Sequence, residues 1–80
     1  MKMEQTQLDQ VVIQHIEQGL LMDLRMRRTM LLRESDWTQM QDAALSSEQK
    51  AAWQAYRQKL RDLPGTITDI QRVTWPARPA

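Results

Sequence analysis

The feature that most constrains this fold is a long stretch without proline, from Thr6 to about Arg33, in which Gly19 is the only glycine. Apolar residues recur at every fourth position from Leu8 and Val12 onward, which is the spacing of one face of an α-helix. The stretch therefore predicts a single helix of roughly 28 residues, about 42 Å long at 1.5 Å per residue. Thr6 is the predicted N-cap of this helix.

A second helix is predicted from Ser46 to about Leu63. Ser46 and Gln49 have the spacing of a capping box, and Pro64 followed by Gly65 is typical of a helix end. The apolar residues of this segment recur at helical spacing and share one face, so the helix is amphipathic. These residues are Ala52, Trp53, Tyr56, Leu60 and Leu63.

About a dozen residues join the two predicted helices. Ser35 and Asp36 favour local bonds between side chain and backbone, so we expect the first helix to end there. Trp37 is predicted to turn inward onto the second helix, and residues 38–45 to form an irregular connector. A connector of this length allows the two helices to fold back antiparallel.

Residues 66–80 lack helical periodicity, and proline restricts their last part to extended conformations. We expect a strap laid across the helices with Trp75 as its anchor. The predicted fold class is all-α: a long N-terminal helix and a shorter second helix form a helical hairpin, with an extended Pro-rich C-terminal tail. The predicted structural anchors are Trp37, Trp53, Tyr56, Leu60 and Trp75.

Apolar side chains between Leu20 and Leu32 spread too far round the first helix to face a single neighbour. A helix that is apolar nearly all round is normally buried, and an 80-residue chain has little core in which to bury it. We infer a surface that binds a partner, either a second copy of the chain or another protein; the alternative is a compact two-helix core. The candidate partner-binding residues are Val12, Ile16, Leu20, Leu21, Met22, Leu24, Met26 and Met30.

Two features within this helix each have two interpretations. Met22, Met26 and Met30 form a row of flexible side chains that suits an adaptable binding surface, although such a row is also typical of ordinary core. Arginines cluster in residues 25–33, after a mostly acidic first part. This order complements the helix macrodipole, and phosphate binding is the alternative.

No constellation of residues in the sequence points to catalysis. His15 is the only histidine and there is no cysteine, while Ser46 and Ser47 lack a base that could activate them. A formal net charge of +1 gives no strong attraction to nucleic acid or anionic lipid. No apolar run approaches the roughly 18 residues of a membrane span. The sequence thus predicts a non-enzymatic protein with no metal or cofactor and with neither nucleic acid nor membrane as a partner.

Seven short motifs follow one another in order between Arg27 and Pro79. They are Arg28, Leu31-Leu32, Ser35-Asp36-Trp37-Thr38-Gln39, Asp42-Ala43-Ala44-Leu45, Trp53-Gln54-Ala55-Tyr56-Arg57, Leu60-Arg61-Asp62-Leu63-Pro64 and Trp75-Pro76-Ala77-Arg78-Pro79. As an ordered set they resemble the phage tail assembly chaperone family, a small module encoded among bacteriophage tail and tail-fibre genes. Gln41 departs from the family pattern, which usually has a proline at that position.

The resemblance implies a factor that helps a tail-fibre or other tail protein to fold, trimerise or attach, in the host cytoplasm during assembly. It divides the chain into an N-terminal helical extension, residues 1–26, and a chaperone-like module, residues 27–80. We expect the long helix to bind a phage tail or tail-fibre protein. One alternative is a minor structural subunit retained in the virion tail or baseplate, and a more distant one is a small DNA-binding regulator that uses Arg25 to Arg33.

Overall fold

The computed structural model describes residues 4–80 as a helical hairpin. Helix α1 spans Gln5–Glu34, a 3-10 helix spans Asp36–Gln39, and helix α2 spans Ser47–Thr66. α2 folds back along the C-terminal part of α1, and the 3-10 helix contacts both. The described part of the chain contains no strand. The predicted all-α hairpin is therefore confirmed.

The prediction that Thr6 is the N-cap is wrong, because helix α1 already begins at Gln5. Glu4 is the N-cap, and its backbone N–H donates a hydrogen bond to Oε1 of Gln7 at 3.1 Å. Glu4 and Gln7 are three residues apart, so this pair can satisfy a free donor of the first turn before Thr6 is reached. The predicted end is confirmed, because the hydroxyl of Ser35 donates to the carbonyl oxygen of Leu31 at 2.8 Å and α1 stops at Glu34.

The connector is more regular than predicted, since its first residues form the 3-10 helix. Thr38 is fully buried, and its Oγ1 donates to the carbonyl oxygen of Ser35 at 2.6 Å. The backbone N–H of Thr38 donates to the same carbonyl at 3.1 Å. The expectation of irregular structure from Thr38 is therefore wrong for Thr38 and Gln39, because a buried threonine closes one tight turn against the end of α1.

The predicted capping box of α2 is confirmed. Ser46 Oγ accepts from the Gln49 N–H at 3.1 Å, and Gln49 Oε1 accepts from the Ser46 N–H at 2.9 Å. The predicted end at about Leu63 is wrong, because α2 continues through Pro64 to Thr66. Pro64 cannot donate a hydrogen bond to the Leu60 carbonyl oxygen, but its φ is compatible with a helix. In the added turn, Thr66 Oγ1 donates to the carbonyl oxygen of Leu63 at 3.1 Å. Gly65 has no positive φ and does not end the helix.

The core is small and is centred on one face of α2. Leu60 is completely buried, and Leu24 of α1 packs on the same side of the hairpin. The ring centroids of Trp53 and Tyr56 lie 5.7 Å apart in a stacked arrangement. Trp37 covers Trp53 from the connector at 6.2 Å between centroids, but it remains 45% exposed.

The tail after α2 is non-helical and lies along the hairpin, as expected of a strap. The guanidinium of Arg27 sits 4.3 Å from the ring centroid of Trp75, and that of Arg78 sits 5.4 Å from the ring centroid of Trp53. Trp75 and Val73 line a groove together with Leu24. The tail thus fixes one side of α1 and leaves the other side open.

Candidate functional site

The candidate site is the part of α1 that the rest of the chain leaves uncovered. α1 has 30 residues and α2 has 20, a difference of about 15 Å in length. All residues of α1 from 5 to 19 are exposed. We call residues 5–19 the arm. The protein consequently measures 63 × 18 × 16 Å, with a radius of gyration of 18.0 Å against about 12 Å for a compact chain of this length.

Large apolar side chains continue along one side of α1 from the arm to the hairpin. We call this set the exposed stripe, and its members are 43–65% exposed: Leu8, Val12, Ile16, Met22, Met26 and Met30. Spacings of four residues, interrupted once by six, keep them on one side of a helix with 3.6 residues per turn. A small protein rarely leaves such a continuous apolar surface in water unless another molecule covers it.

From Leu20 to Leu32, the structure separates the leucines of α1 from its methionines. Leu24 is buried at 5% exposure, and Leu31 and Leu32 are half-buried against the hairpin. Met22 is 65% exposed and Met30 is 58% exposed, so the methionine row lies on the open side. This part of α1 has two apolar sides. The leucine side is covered inside the hairpin, and the methionine side is uncovered.

An open groove runs along the methionine row. Arg25 and Arg33 line its edges together with Thr29, and no carboxylate is among its lining residues. Within residues 4–80, neither of these arginines takes part in an ion pair. The groove therefore offers a flexible apolar floor with free positive charge beside it, a combination that suits an apolar segment carrying carboxylates.

Arg57 holds α1 in its orientation relative to α2. The Arg57 side chain is buried, and its Nη1 donates to the Leu32 carbonyl oxygen at 2.6 Å and to Ser35 Oγ at 2.7 Å. Its Nη2 forms an ion pair with Asp36 Oδ1 at 2.7 Å. One arginine thus ties the end of α1 and the 3-10 helix to the middle of α2. We call this set of contacts the Arg57 junction.

The candidate partner-binding residues fall into three groups by burial. Val12, Ile16 and the three methionines are exposed, whereas Leu20 and Leu21 are half-buried. Leu24 packs inside the hairpin and cannot face a partner without unfolding it, so we leave it out of the candidate surface. Leu8, at 43% exposure, and Ile13, at 50%, belong to the uncovered surface as well. Leu8 could have been added from the sequence, because it begins the same four-residue spacing.

The predicted anchors also differ in burial. Trp53, Tyr56 and Leu60 are buried, Trp75 is half-buried, and Trp37 is 45% exposed. Within residues 4–80 no group of His, Asp or Glu side chains is arranged to hold a metal ion. Neither described α-helix combines the length and hydropathy that crossing a bilayer requires.

Residues 21–80 match a family model described as phage tail assembly chaperone protein. The match covers 60 of the 80 residues, starts inside α1 and includes the methionine row, the Arg57 junction and the tail. The whole arm precedes it. No curated protein and no solved structure matches the chain.

Proposed function

This chain belongs to the phage tail assembly chaperone family, which is non-enzymatic, and we propose that it assists assembly by covering apolar surface of a tail or tail-fibre protein with α1. The observation that carries the proposal is the exposed stripe, in which six large apolar side chains stand 43–65% exposed along one helix. A folding tail protein exposes apolar surface before its subunits come together, and an apolar helix face can shield that surface from aggregation. The host cytoplasm is the proposed place of action.

Two properties of the stripe support binding to an unfinished partner. Methionine side chains adjust their shape at little cost, so Met22, Met26 and Met30 can fit a surface that is not yet fully packed. Arg25 and Arg33 can pair with carboxylates at the rim, which would orient the partner along α1. We propose that the stripe residues with the half-buried Leu20 and Leu21 form the contact surface.

The proposal keeps the division of the chain into an N-terminal helical extension, residues 1–26, and a module, residues 27–80. That boundary lies inside the continuous helix α1, so residues 5–34 would act as one rigid rod. The proposed role of the module is to hold the rod in place through the Arg57 junction and the Trp75 strap. The proposed role of the extension is to add apolar contact area.

Co-expression with the tail-fibre protein of the same phage tests the proposal. An affinity-tagged copy of this chain should retain the fibre protein, and Met26→Lys should reduce the retained amount at least tenfold because it places a charge in the contact. Gln54→Lys is the matched control, since Gln54 is exposed on α2 and away from the stripe. If both variants retained equal amounts of the fibre protein, the exposed stripe would not be the contact surface. If the parent chain retained neither the fibre protein nor any other tail protein of the phage, the proposal would be wrong.

A second candidate function is a minor structural subunit retained in the virion tail or baseplate. The same exposed stripe favours it, because an extended apolar surface also suits a permanent interface. Mass spectrometry of gradient-purified phage particles separates the two functions. Recovery of the chain in fixed proportion to other tail proteins would indicate a structural subunit. Absence from particles, together with presence in infected-cell lysate bound to a fibre protein, would indicate an assembly factor.

A further inference from the structure

We propose that, before a tail protein is bound, two copies of this chain pair antiparallel through α1, with the arm of each copy lying on the methionine row of the other. This goes beyond the proposed function, because it concerns the protein alone. The two open parts of α1 would cover each other, and Gly19 would lie at the crossing point.

The spacing of the stripe fits such a pairing. Leu8, Val12 and Ile16 precede Gly19 by eleven, seven and three residues, and Met30, Met26 and Met22 follow it by the same intervals. A two-fold axis at Gly19 therefore places Leu8 of one copy opposite Met30 of the other, and continues in this way through all six stripe residues. Such an interface is isologous, so both copies contribute the same surface and the assembly closes at two.

The charge distribution along α1 is also complementary to that of a second α1 that runs in the opposite direction. Residues 4–23 contain four carboxylates and neither lysine nor arginine, whereas residues 25–33 contain four arginines and no carboxylate. Antiparallel pairing brings the acidic part of each helix to the basic part of the other, and parallel pairing would bring like charges together. Arg25 and Arg33, which have no ion-pair partner within residues 4–80, would gain opposite charge nearby.

Gly19 has no role inside the single hairpin that requires a glycine. Its φ is not positive, and a Cβ added there would have no atom within 4 Å. A glycine within a helix costs about 1 kcal/mol relative to alanine. At the crossing of two helices, however, the missing side chain lets the backbones approach closely. The position of this glycine midway along the stripe therefore favours a helix as the covering partner.

The exposed area is large enough for an interface of this kind. The chain exposes 6633 Å², whereas a compact monomer of 9.5 kDa exposes about 5,000 Å². The excess exceeds the roughly 800 Å² that each partner loses in a standard interface. If the proposed function holds, a tail protein would compete with the second copy for the same face, so the dimer would be a storage form that the partner opens.

The first test measures the mass of the purified full-length chain by sedimentation equilibrium over a range of concentrations. We expect a concentration-dependent shift from 9.5 kDa to twice that mass. Met26→Lys should weaken the dimer at least tenfold, while the exposed Gln54→Lys control should leave it unchanged. A chain that stays at 9.5 kDa up to millimolar concentration would overturn the proposal.

The second test determines the direction of pairing. The chain has no cysteine of its own, so only the introduced cysteines can form disulfides. Val12→Cys and Met26→Cys chains are mixed and oxidised. Antiparallel pairing about Gly19 places these two positions opposite each other, within the roughly 7 Å that a disulfide requires between Cα atoms. Two copies of the same variant would hold their cysteines about 21 Å apart. We expect rapid formation of the mixed disulfide and slow formation of either symmetric one.

Faster formation of the symmetric disulfides would indicate parallel pairing and overturn the proposal. Val12→Cys mixed with the exposed Gln54→Cys gives the background rate of random collisions. The proposal would also be overturned if the mixed disulfide between the Val12→Cys and Met26→Cys chains formed no faster than this background. Neither experiment contains a tail protein, so a negative result here leaves the co-expression test of the proposed function unaffected.

Discussion

Arg57 on α2 donates a hydrogen bond from Nη1 to the carbonyl oxygen of Leu32, 25 residues earlier in the sequence, at 2.6 Å. Leu32 lies in the last turn of α1, where carbonyl groups lack their usual helical partner. A side chain from α2 thus caps the C-terminal end of α1. This contact joins the end of α1 to the middle of α2.

Arg57→Ala should lower the free energy of unfolding by about 3 kcal/mol, because hydrogen bonds from a charged donor contribute about 1.5–3 kcal/mol each and do not add fully. Urea unfolding followed by circular dichroism measures the change. The matched control is Arg61→Ala, which removes an exposed arginine one turn later on α2 and should change stability by less than about 0.5 kcal/mol. Equal losses for the two variants would contradict a structural role for Arg57.

Asp36→Asn should have a much smaller effect than Arg57→Ala, although Asp36 and Arg57 form an ion pair at 2.7 Å. The Asp36 side chain is 58% exposed, so water screens the attraction, and exposed pairs contribute about 0–1 kcal/mol. The same urea experiment compares the two substitutions. A loss as large as that of Arg57→Ala would show that the ion pair, rather than the bonds to Leu32 and Ser35, dominates the junction.

Trp53→Ala should lower the free energy of unfolding by about 3–5 kcal/mol, the usual cost of deleting a buried large aromatic side chain. Trp53 is 6% exposed and contacts both Trp37 and Tyr56. Trp37→Ala is the comparison, and its loss should be smaller because Trp37 is 45% exposed. Thermal unfolding measures both. An unchanged melting temperature for Trp53→Ala would exclude Trp53 from the core.

Trp75→Ala should release the strap while α1 and α2 stay packed. Trp75 is half-buried under Arg27, and a cation–π contact of this kind contributes about 0.5–1 kcal/mol. Limited trypsin digestion should then cut faster after Arg72, with little change in helix content. Gln71→Ala, an exposed change in the same segment, should leave the cleavage rate as it is. Unchanged cleavage in Trp75→Ala would show that other contacts hold the tail.

Ser46→Ala should cost about 1 kcal/mol, because Ser46 Oγ accepts the bond from the Gln49 N–H at the start of α2. Ser47→Ala provides the matched control, since Ser47 is the neighbouring serine, is exposed and is the first residue within the helix. Thermal unfolding of both variants measures the difference. Equal stability of the two variants would mean that the capping bond contributes nothing measurable.

The candidate site could be predicted only in part from the sequence. The excess of apolar residues on α1 is visible in the sequence, because Leu20 to Leu32 exceed what one helical side can hold. Which of those residues face outward is not visible, since leucine and methionine are both acceptable core residues. Only the structure shows that Leu24 is buried inside the hairpin, whereas Met26 is 61% exposed.

Local chemistry determined much of the fold without any tertiary information. The capping box of Ser46 and Gln49, the end of α1 at Ser35 and the two helices themselves each depend on residues within a few positions of one another. Short-range rules failed where two local signals competed. Glu4 caps α1 ahead of Thr6, and α2 continues through Pro64 to Thr66.

Tertiary structure alone decided the contacts between residues far apart in the sequence. Nothing in the sequence selects Arg57 rather than Arg61 as the partner of Asp36; the rotation of α2 about its own axis selects it, by pointing Arg57 at the end of α1. The contact between Arg27 and Trp75 likewise joins residues far apart in the sequence, and it depends on how the tail lies along α1. Local patterns fix where helices begin and end because those energies act over one turn, whereas the pairing of distant side chains depends on how the helices pack.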